Sequence, residues 1–229
     1  MLVLALDTTT RTGSCALARD GRVVRELASE PGVSHAEHLP GDLMTLLEKE
    51  DVALESIEVF AAATGPGSFT GMRVGIATMQ GLAFAMGKPL IGVSGLDALA
   101  RIAAPEMNTC VATWVDAWRG EVYAAVYEQG REIEPPTVEH PATVLERHRQ
   151  RQRVLFIGDG AGTFELLISE TLGDLAIMAD PVSPLLGGTI AQIAGDAVLA
   201  GHRPAADAIR PLYVRRTDAE IARDARPRR

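Results

Sequence analysis

Cysteine is scarce in this 229-residue chain, which has only two such residues. Cys15 and Cys110 lie far apart in apolar runs, and no CxxC pair occurs. The sequence therefore gives no support for a disulfide framework or a cysteine-based zinc site, and a reducing compartment fits best. Long apolar runs are also lacking, because Met1 to Leu6 is too short for a signal peptide and no stretch approaches a membrane span. We expect a cytoplasmic protein with no membrane partner.

Positive charge is in short supply as well. The chain has 22 Lys and Arg against 30 Asp and Glu, a formal net charge of −8, whereas a whole-surface nucleic-acid binder is normally basic. The arginines cluster, however, at residues 147–153 and in a tail from about residue 210. Each cluster is open to two interpretations, a solvated surface or contact with RNA phosphates. The remaining composition is that of an ordinary globular protein, long enough to bury a good core.

The order of predicted elements indicates an α/β protein built from two similar halves. Each half begins with a hairpin, the first one turning at Asp20-Gly21, and continues with strands and helices in alternation. The predicted strands cover residues 2–6, 14–19, 22–28, 59–64, 90–93, 109–116, 121–127 and 154–157. The predicted helices cover the leucines from 39 to 47 and residues 70–86, 95–105, 163–172 and 189–200.

A hairpin followed by strand–helix alternation predicts mixed sheets with helices on their faces. The repetition of this order indicates a weak internal duplication. We predict two lobes, residues 1–106 and 107–229, with the arginine-rich tail at the end of the second.

The most informative segment is the glycine-rich turn Gly65-Pro66-Gly67-Ser68 between an apolar strand and a long helix. It is either a tight structural turn or an anion site formed by free amides and the positive end of the helix dipole. The lysine of a Walker P-loop is missing. Two polar turns after other strands offer the same two interpretations. The candidate anion or nucleotide loops are thus Asp7, Thr8, Thr9, Gly65, Gly67, Ser68, Gly158 and Gly160.

The helix predicted over Thr70–Met86 carries apolar residues on every side. Such a helix is either enclosed in the core or partly covered by a partner protein. A chain of this size has little material for a second cover, which favours a partner surface shared with the leucine-rich helix before it. We assign to this surface Leu39, Leu43, Leu46, Met72, Gly75, Ile76, Met79 and Ala83. Without its partner, the same surface is expected to form a homodimer.

His35 and His38 are the only pair of residues whose spacing resembles a metal site. Three residues apart on a helix, they can share one face, but no third ligand is evident. Two solvent-exposed histidines at a helix start explain them better, and we expect no metal site.

These segments resemble the TsaB family along the whole chain, from Leu4 to Arg215. The signature is Gly65-Pro66-Gly67-Ser68-Phe69-Thr70-Gly71, continued by Arg73, Gly75 and Gly81-Leu82-Ala83. Asp116-Ala117 with Glu121-Val122-Tyr123 is similar to the family's second-lobe hairpin. Trp118 stands where an arginine is usual and Gln80 where a lysine is usual, so no role of that arginine is carried over.

The resemblance implies an actin-like, Hsp70-like two-lobed fold. It also implies that the first two helices pair with a TsaD-like subunit, which transfers threonylcarbamoyl to the adenosine beside the anticodon in tRNAs reading codons that start with A. A TsaE-like ATPase binds to the pair, and the chain contacts tRNA through the complex. The chain would then be a non-catalytic scaffold with no cofactor of its own, and ATP with magnesium would bind only in the complex. The metal site of TsaD-like proteins, two histidines four residues apart plus a carboxylate, is not matched by His35 and His38.

Two other functions stay open from the sequence. One is an actin-like ATP-binding enzyme that uses Asp7 and the turn at 158–162, and micromolar binding of Mg-ATP by the isolated chain would indicate it. The other is a glycoprotease-like metallopeptidase, which stoichiometric zinc or iron in the purified chain would indicate.

Overall fold

The structure, a computed structural model, describes residues 1–29, 35–103 and 109–215, with side-chain detail for all of these except 35–40. The first five strands form one mixed sheet in the order β3-β2-β1-β4-β5. In it β1 runs antiparallel to β2 and parallel to β4, and β4 runs parallel to β5. The strands are β1 (Leu2–Asp7), β2 (Ser14–Arg19), β3 (Arg22–Ala28), β4 (Val59–Ala63) and β5 (Leu90–Val93).

The second sheet repeats the topology of the first. Its order is β10-β9-β6-β7-β8, with β6 antiparallel to β7 and parallel to β9. Its strands are β6 (Cys110–Asp116), β7 (Val122–Glu128), β8 (Arg131–Glu139), β9 (Val154–Ile157) and β10 (Ala176–Met178). Counted from its own first strand, this sheet has the same strand order as the other, which confirms the predicted duplication.

Helices cover both faces of each sheet. They are α1 (His35–Lys49), α2 (Phe69–Met86), α3 (Gly95–Ile102), α4 (Pro141–His148), α5 (Asp159–Thr163), α6 (Glu165–Leu172) and α7 (Gly187–Leu199). Helices α1 and α2 share one core with the outer face of the first sheet, and α4, α5 and α6 lie on the outer face of the second. Helix α7 packs on β1, β2 and β4, and α3 packs on β6 and β7, so a third core joins the two sheets.

Strand β4 shows how one sequence serves two cores. Phe60 and Ala62 point toward α1 and α2, while Val59, Ala61 and Ala63 point toward α7. Successive side chains on a strand alternate between faces, so a strand covered on both sides is apolar throughout. The predicted lobe boundary at residues 106 and 107 lies outside the described residues. Helix α7 belongs to the second half of the chain but covers the first sheet, so the packing does not follow the chain division strictly.

The sequence missed four elements: β8, α4, α5 and β10, of which α5 occupies the residues predicted as the turn at 158–162. Strand β8 contains Pro135 and Pro136, which lack an amide donor and so argue against a strand. The strand tolerates them because it lies at the edge of its sheet, where its pairing with β7 has register shifts. Among the described helices, none is long and apolar enough to cross a membrane.

Candidate functional site

The glycine-rich turn packs directly on the loop that follows β1. A Cβ at Gly67 would lie 2.2 Å from the Thr9 carbonyl oxygen, and a Cβ at Gly71 would lie 2.0 Å from the Thr8 carbonyl oxygen. The Ser68 amide donates to the Thr9 carbonyl at 2.8 Å, and the Thr8 hydroxyl donates to the Gly71 carbonyl at 2.7 Å. Only glycine permits this close approach of two backbones. Packing within the chain therefore accounts for the glycine signature.

The start of α2 is capped from within the chain. The Ser68 hydroxyl accepts a hydrogen bond from the Gly71 amide at 3.2 Å, as an N-cap serine does. The Gly65 carbonyl accepts from the Gly95 amide at 2.9 Å, which ties the turn to the start of α3. Within the predicted anion site, the Ser68 amide and hydroxyl and the Gly65 carbonyl thus already have partners in the protein.

Asp7 is also held by its own loop. Its buried carboxylate accepts from the Thr9 amide at 2.8 Å, from the Thr9 hydroxyl at 2.7 Å and from the Thr10 hydroxyl. These three donors belong to the residues that immediately follow β1. The carboxylate therefore fixes the loop that Gly67 and Gly71 pack against.

The second sheet has an equivalent contact at Gly158 and Gly160. A Cβ at Gly158 would lie 2.0 Å from the Trp114 carbonyl oxygen, and one at Gly160 would lie 2.8 Å from the Val115 carbonyl carbon. In both sheets, the turn after the fourth strand thus packs on the end of the first strand. The duplicated topology explains why two separate parts of the sequence look like nucleotide loops.

Asp159 connects the two halves of the molecule. Its carboxylate accepts from the Asp116 amide at 2.9 Å and from the Arg11 amide, in the loop after β1, at 3.2 Å. Removal from water raises the pKa of Asp159. Asp159, Asp116, Arg11 and Trp118 line a small cavity of about 200 Å³ with Thr9, Thr10 and Ser68.

A larger cleft of about 470 Å³ lies beside this cavity and shares Ser68 and Trp118 with it. Residues 66–70 form one wall, and the hairpin residues Ala117–Arg119 form another. The third wall is the extended segment Leu212–Arg215. The sequence gave no reason to place this segment in a site.

The segment Leu212–Arg215 spans both halves. The Leu212 amide donates to the Thr64 carbonyl at 2.8 Å in the first half. In the second half, the Arg215 guanidinium donates to the Ala117 carbonyl at 2.9 Å and forms an ion pair with Glu121. We call this segment the C-terminal strap.

The side chains assigned to a partner surface need correction. Those described are buried in the protein's own core, with exposed fractions of 7% or less. They pack against the first sheet because the bulky residues of α2 share one stripe at helical spacing. These side chains are Leu43, Leu46, Met72, Ile76, Met79 and Ala83. Gly75 is also buried, against Thr8. The side chain of Leu39 is not among those that the structure describes.

The opposite side of α2 is the one that solvent reaches. Phe84 is 82% exposed, and Met44 on the neighbouring helix α1 is 50% exposed. We call this side the α2 outer face and define it by its exposed residues Ala77, Gly81, Phe84 and Ala85.

Other predicted features fall partly or wholly outside the description. The side chains of His35 and His38 are not described, nor is the arginine-rich tail beyond Arg215. Within residues 1–29, 41–103 and 109–215, no group of three His, Cys, Asp or Glu side chains could hold a metal ion. Cys15 and Cys110 are both buried free thiols, which confirms that they do not form a disulfide.

Comparison with known proteins gives a consistent result. The family model for TsaD, tRNA N6-adenosine threonylcarbamoyltransferase, matches residues 10–223. The tRNA threonylcarbamoyladenosine biosynthesis protein TsaB of Escherichia coli is 37% identical over 66% of this chain and 67% of its own length. The Bacillus subtilis protein of the same name is 29% identical over 76% of this chain and 77% of its own.

Solved structures agree with these relatives. YeaZ from Pseudomonas aeruginosa has a TM-score of 0.75 at 32% identity, covering 93% of this chain and 99% of that one. The activator of 2-hydroxyisocaproyl-CoA dehydratase from Clostridium difficile has a TM-score of 0.55 at 11% identity, covering 88% and 97%, a likeness of fold alone. With the two repeated mixed sheets, these neighbours confirm the actin-like two-lobed fold. The chain therefore belongs to the TsaB family of tRNA threonylcarbamoyladenosine biosynthesis proteins.

Proposed function

We propose that this chain is a non-catalytic subunit that binds a TsaD-like partner through the α2 outer face. The observation that carries the proposal is the exposed aromatic ring of Phe84 among small side chains on this face. An aromatic side chain 82% exposed on a helix has no function in the fold of the single chain. Exposed apolar surface of this kind is typical of a contact with another protein.

The small residues on the α2 outer face suit a helical partner. Ala77, Gly81 and Ala85 follow each other at four-residue spacing, so they stack along one side of the helix. Short side chains leave a shallow groove into which the ridge of another helix can pack closely. Phe84 lies beside this groove and can act as an anchor in a pocket of the partner.

The identity of the partner follows from the family. The relatives are named for the pathway that the matching transferase serves, and that transferase model fits this chain too. Two subunits with the same fold can pair by bringing equivalent helices together about an approximate two-fold axis. A TsaE-like ATPase and tRNA would then bind to the assembled pair, and ATP with magnesium would bind only in the complex. In the absence of the partner, a second copy of this chain would cover the same face.

The non-catalytic role is supported by how the candidate loops are used. The Asp7 carboxylate, the Ser68 hydroxyl and the Asp159 carboxylate all accept hydrogen bonds from neighbouring groups of the chain. The glycines beside them are in close backbone contact. Asp7 and Ser68 thus stabilise the first half and Asp159 joins the two halves, a structural use that suits a scaffold.

Co-purification with the TsaD-like subunit of the same organism tests the proposal. Phe84→Asp is expected to abolish co-purification without unfolding the chain, since Phe84 packs on nothing in the core. Leu166→Asp is the matched control, because Leu166 is 78% exposed on α6, away from α2. The control should co-purify as well as the wild type. Retention of the partner by the Phe84→Asp chain would place the interface elsewhere.

A further inference from the structure

We propose that the cleft between the two lobes binds a short stretch of single-stranded RNA by stacking bases on its aromatic side chains. We call it the aromatic cleft and define it by Phe69, Trp118 and Tyr213, with Arg73 at its rim. The proposal rests on the proposed function only in choosing RNA as the source of the bases.

The aromatic side chains are the first support. The described chain exposes four aromatic side chains, and three of them surround this cleft: Phe69 at 40%, Trp118 at 52% and Tyr213 at 46%. The rings of Phe69 and Tyr213 are 5.5 Å apart, while Trp118 lies on a different wall, with the Arg11 guanidinium 5.4 Å from its ring centre. Aromatic rings that remain partly open to solvent in a cleft are the usual platform for unpaired bases.

The charge around the cleft is the second support. The whole chain has a net charge of −8, yet the charged residues that line this cleft are both arginines, Arg119 and Arg215, of which Arg215 is paired with Glu121. The Arg73 guanidinium lies 3.8 Å from the centre of the Phe69 ring, and its Nε donates to the Tyr213 hydroxyl at 3.2 Å. Among the described residues, the partners of Arg73 are thus neutral groups. Its positive charge remains available to a phosphate beside a stacked base.

The backbone at Trp118 is the third support. Trp118 and Arg119 have φ angles of 59° and 58°, a left-handed conformation that residues other than glycine seldom adopt. The turn is held by a hydrogen bond from the Trp118 amide to the Asp116 carboxylate at 2.8 Å. Two successive residues with positive φ form a tight hairpin turn, here the one that joins β6 to β7. Here the conformation places the indole ring on the wall of the cleft.

The arrangement favours a nucleic acid strand over a free nucleotide. A volume of about 470 Å³ suits a ligand of nucleotide size. A polyphosphate is normally held by free amides of a glycine-rich loop, but the amides of Gly71 and Ser68 already have partners. A single phosphodiester beside each base needs only an arginine such as Arg73.

The two tryptophans make a direct test possible. Trp114 is fully buried, whereas Trp118 lines the cleft, so a base stacking in the cleft should quench the fluorescence of Trp118 alone. The full-length chain would be titrated with oligouridylate of about eight nucleotides, within the usual range of site sizes. Uridine monophosphate would be titrated in parallel as the free nucleotide.

We expect saturable quenching by the oligonucleotide and none in Trp118→Phe, which keeps only the buried Trp114. Tyr213→Ala should weaken binding about 5- to 150-fold, the loss typical of one stacking aromatic residue. Leu166→Ala, on the exposed side of α6, should bind as the wild type does. Absence of quenching, or equal affinity in wild type and Tyr213→Ala, would overturn the proposal. Equal affinity for uridine monophosphate would also overturn the assignment to RNA and make the cleft a mononucleotide site.

RNA binding in the aromatic cleft and partner binding through the α2 outer face can be refuted independently of each other. Tyr213→Ala should still co-purify with the TsaD-like subunit, because the C-terminal strap is not part of the α2 outer face. The Phe84→Asp protein should no longer co-purify with that subunit, but oligouridylate should still quench its fluorescence. If one substitution abolished both properties while the chain stayed folded, the cleft would belong to the partner interface and the RNA proposal would be wrong.

Discussion

Alanine substitutions at two glycines of α2 should change stability in opposite directions. A Cβ at Gly71 would lie 2.0 Å from the Thr8 carbonyl oxygen, well inside an ordinary contact. The loop after β1 and the start of α2 must then separate, which breaks the hydrogen bond from the Thr8 hydroxyl to the Gly71 carbonyl. Overpacking of this kind costs about 1–3 kcal/mol, and loss of the hydrogen bond adds about 1 kcal/mol.

Gly81 is the matched control on the same helix. It is exposed, and a Cβ there would meet no atom within 4 Å. Since alanine has less backbone freedom to lose than glycine, Gly81→Ala should stabilise the protein by about 0.5–1 kcal/mol.

Urea unfolding followed by far-ultraviolet circular dichroism measures both effects. We expect the free energy of unfolding of Gly71→Ala to fall below that of the wild type and that of Gly81→Ala to rise above it. A Gly71→Ala protein as stable as the wild type would refute the close contact between the glycine turn and the β1 loop. The packing explanation of the glycine signature would then have to be abandoned in favour of a ligand.

Four further predictions follow from particular contacts. Met79→Lys should prevent folding, because the side chain is fully buried, and recovery of a folded Met79→Lys protein would contradict its burial. His148 is buried and its pKa is lowered from 6.5 to about 4, so stability should be full above pH 6.5 and fall as the pH drops toward 4, by at most about 3 kcal/mol. His148→Phe should flatten this pH dependence of unfolding, and an unchanged slope would contradict the assignment. Arg215→Met should release the C-terminal strap and speed its cleavage by chymotrypsin after Tyr213, whereas unchanged cleavage would show that Arg215 does not hold it. Calorimetry of the isolated chain should detect no micromolar binding of Mg-ATP, and such binding would favour the ATP-binding enzyme.

Local patterns predicted most strands and helices because the relevant signals lie within a few residues of each other. The Asp20-Gly21 turn, where both residues have positive φ, acts this way. Helix α4 was missed although Pro141 at its start is a recognised helix-start signal. Strand β8 could not be predicted locally, since its two prolines are tolerated only because the strand lies at a sheet edge.

The orientation of α2 shows where sequence reasoning stopped. A helix that is apolar all round does not reveal which side meets its own sheet. Met72, Ile76 and Met79 were assigned to a partner because the chain offers little material to cover a second side, yet their size is the reason they fill the protein's own core. The smaller Ala77 and Gly81 are left on the exposed side. The contrast between a bulky and a small stripe on one helix was the signal that could have separated the two sides.

The aromatic cleft could not be found from the sequence at all. Arg73 and Tyr213 are hydrogen-bonded although they are 140 residues apart in the chain. No periodicity or motif connects such positions. Only the path of the C-terminal strap across both halves brings Tyr213 to Phe69.

Formation of threonylcarbamoyladenosine in a reconstituted mixture tests the central claim most directly. Purified TsaD-like and TsaE-like subunits, tRNA, ATP and the threonylcarbamoyl donor would be assayed with wild-type chain, with Phe84→Asp and without the chain. We expect product only with the wild type, and none from this chain in the absence of the TsaD-like subunit. Product formed by this chain alone, or full activity with Phe84→Asp, would contradict a non-catalytic subunit that works through the α2 outer face.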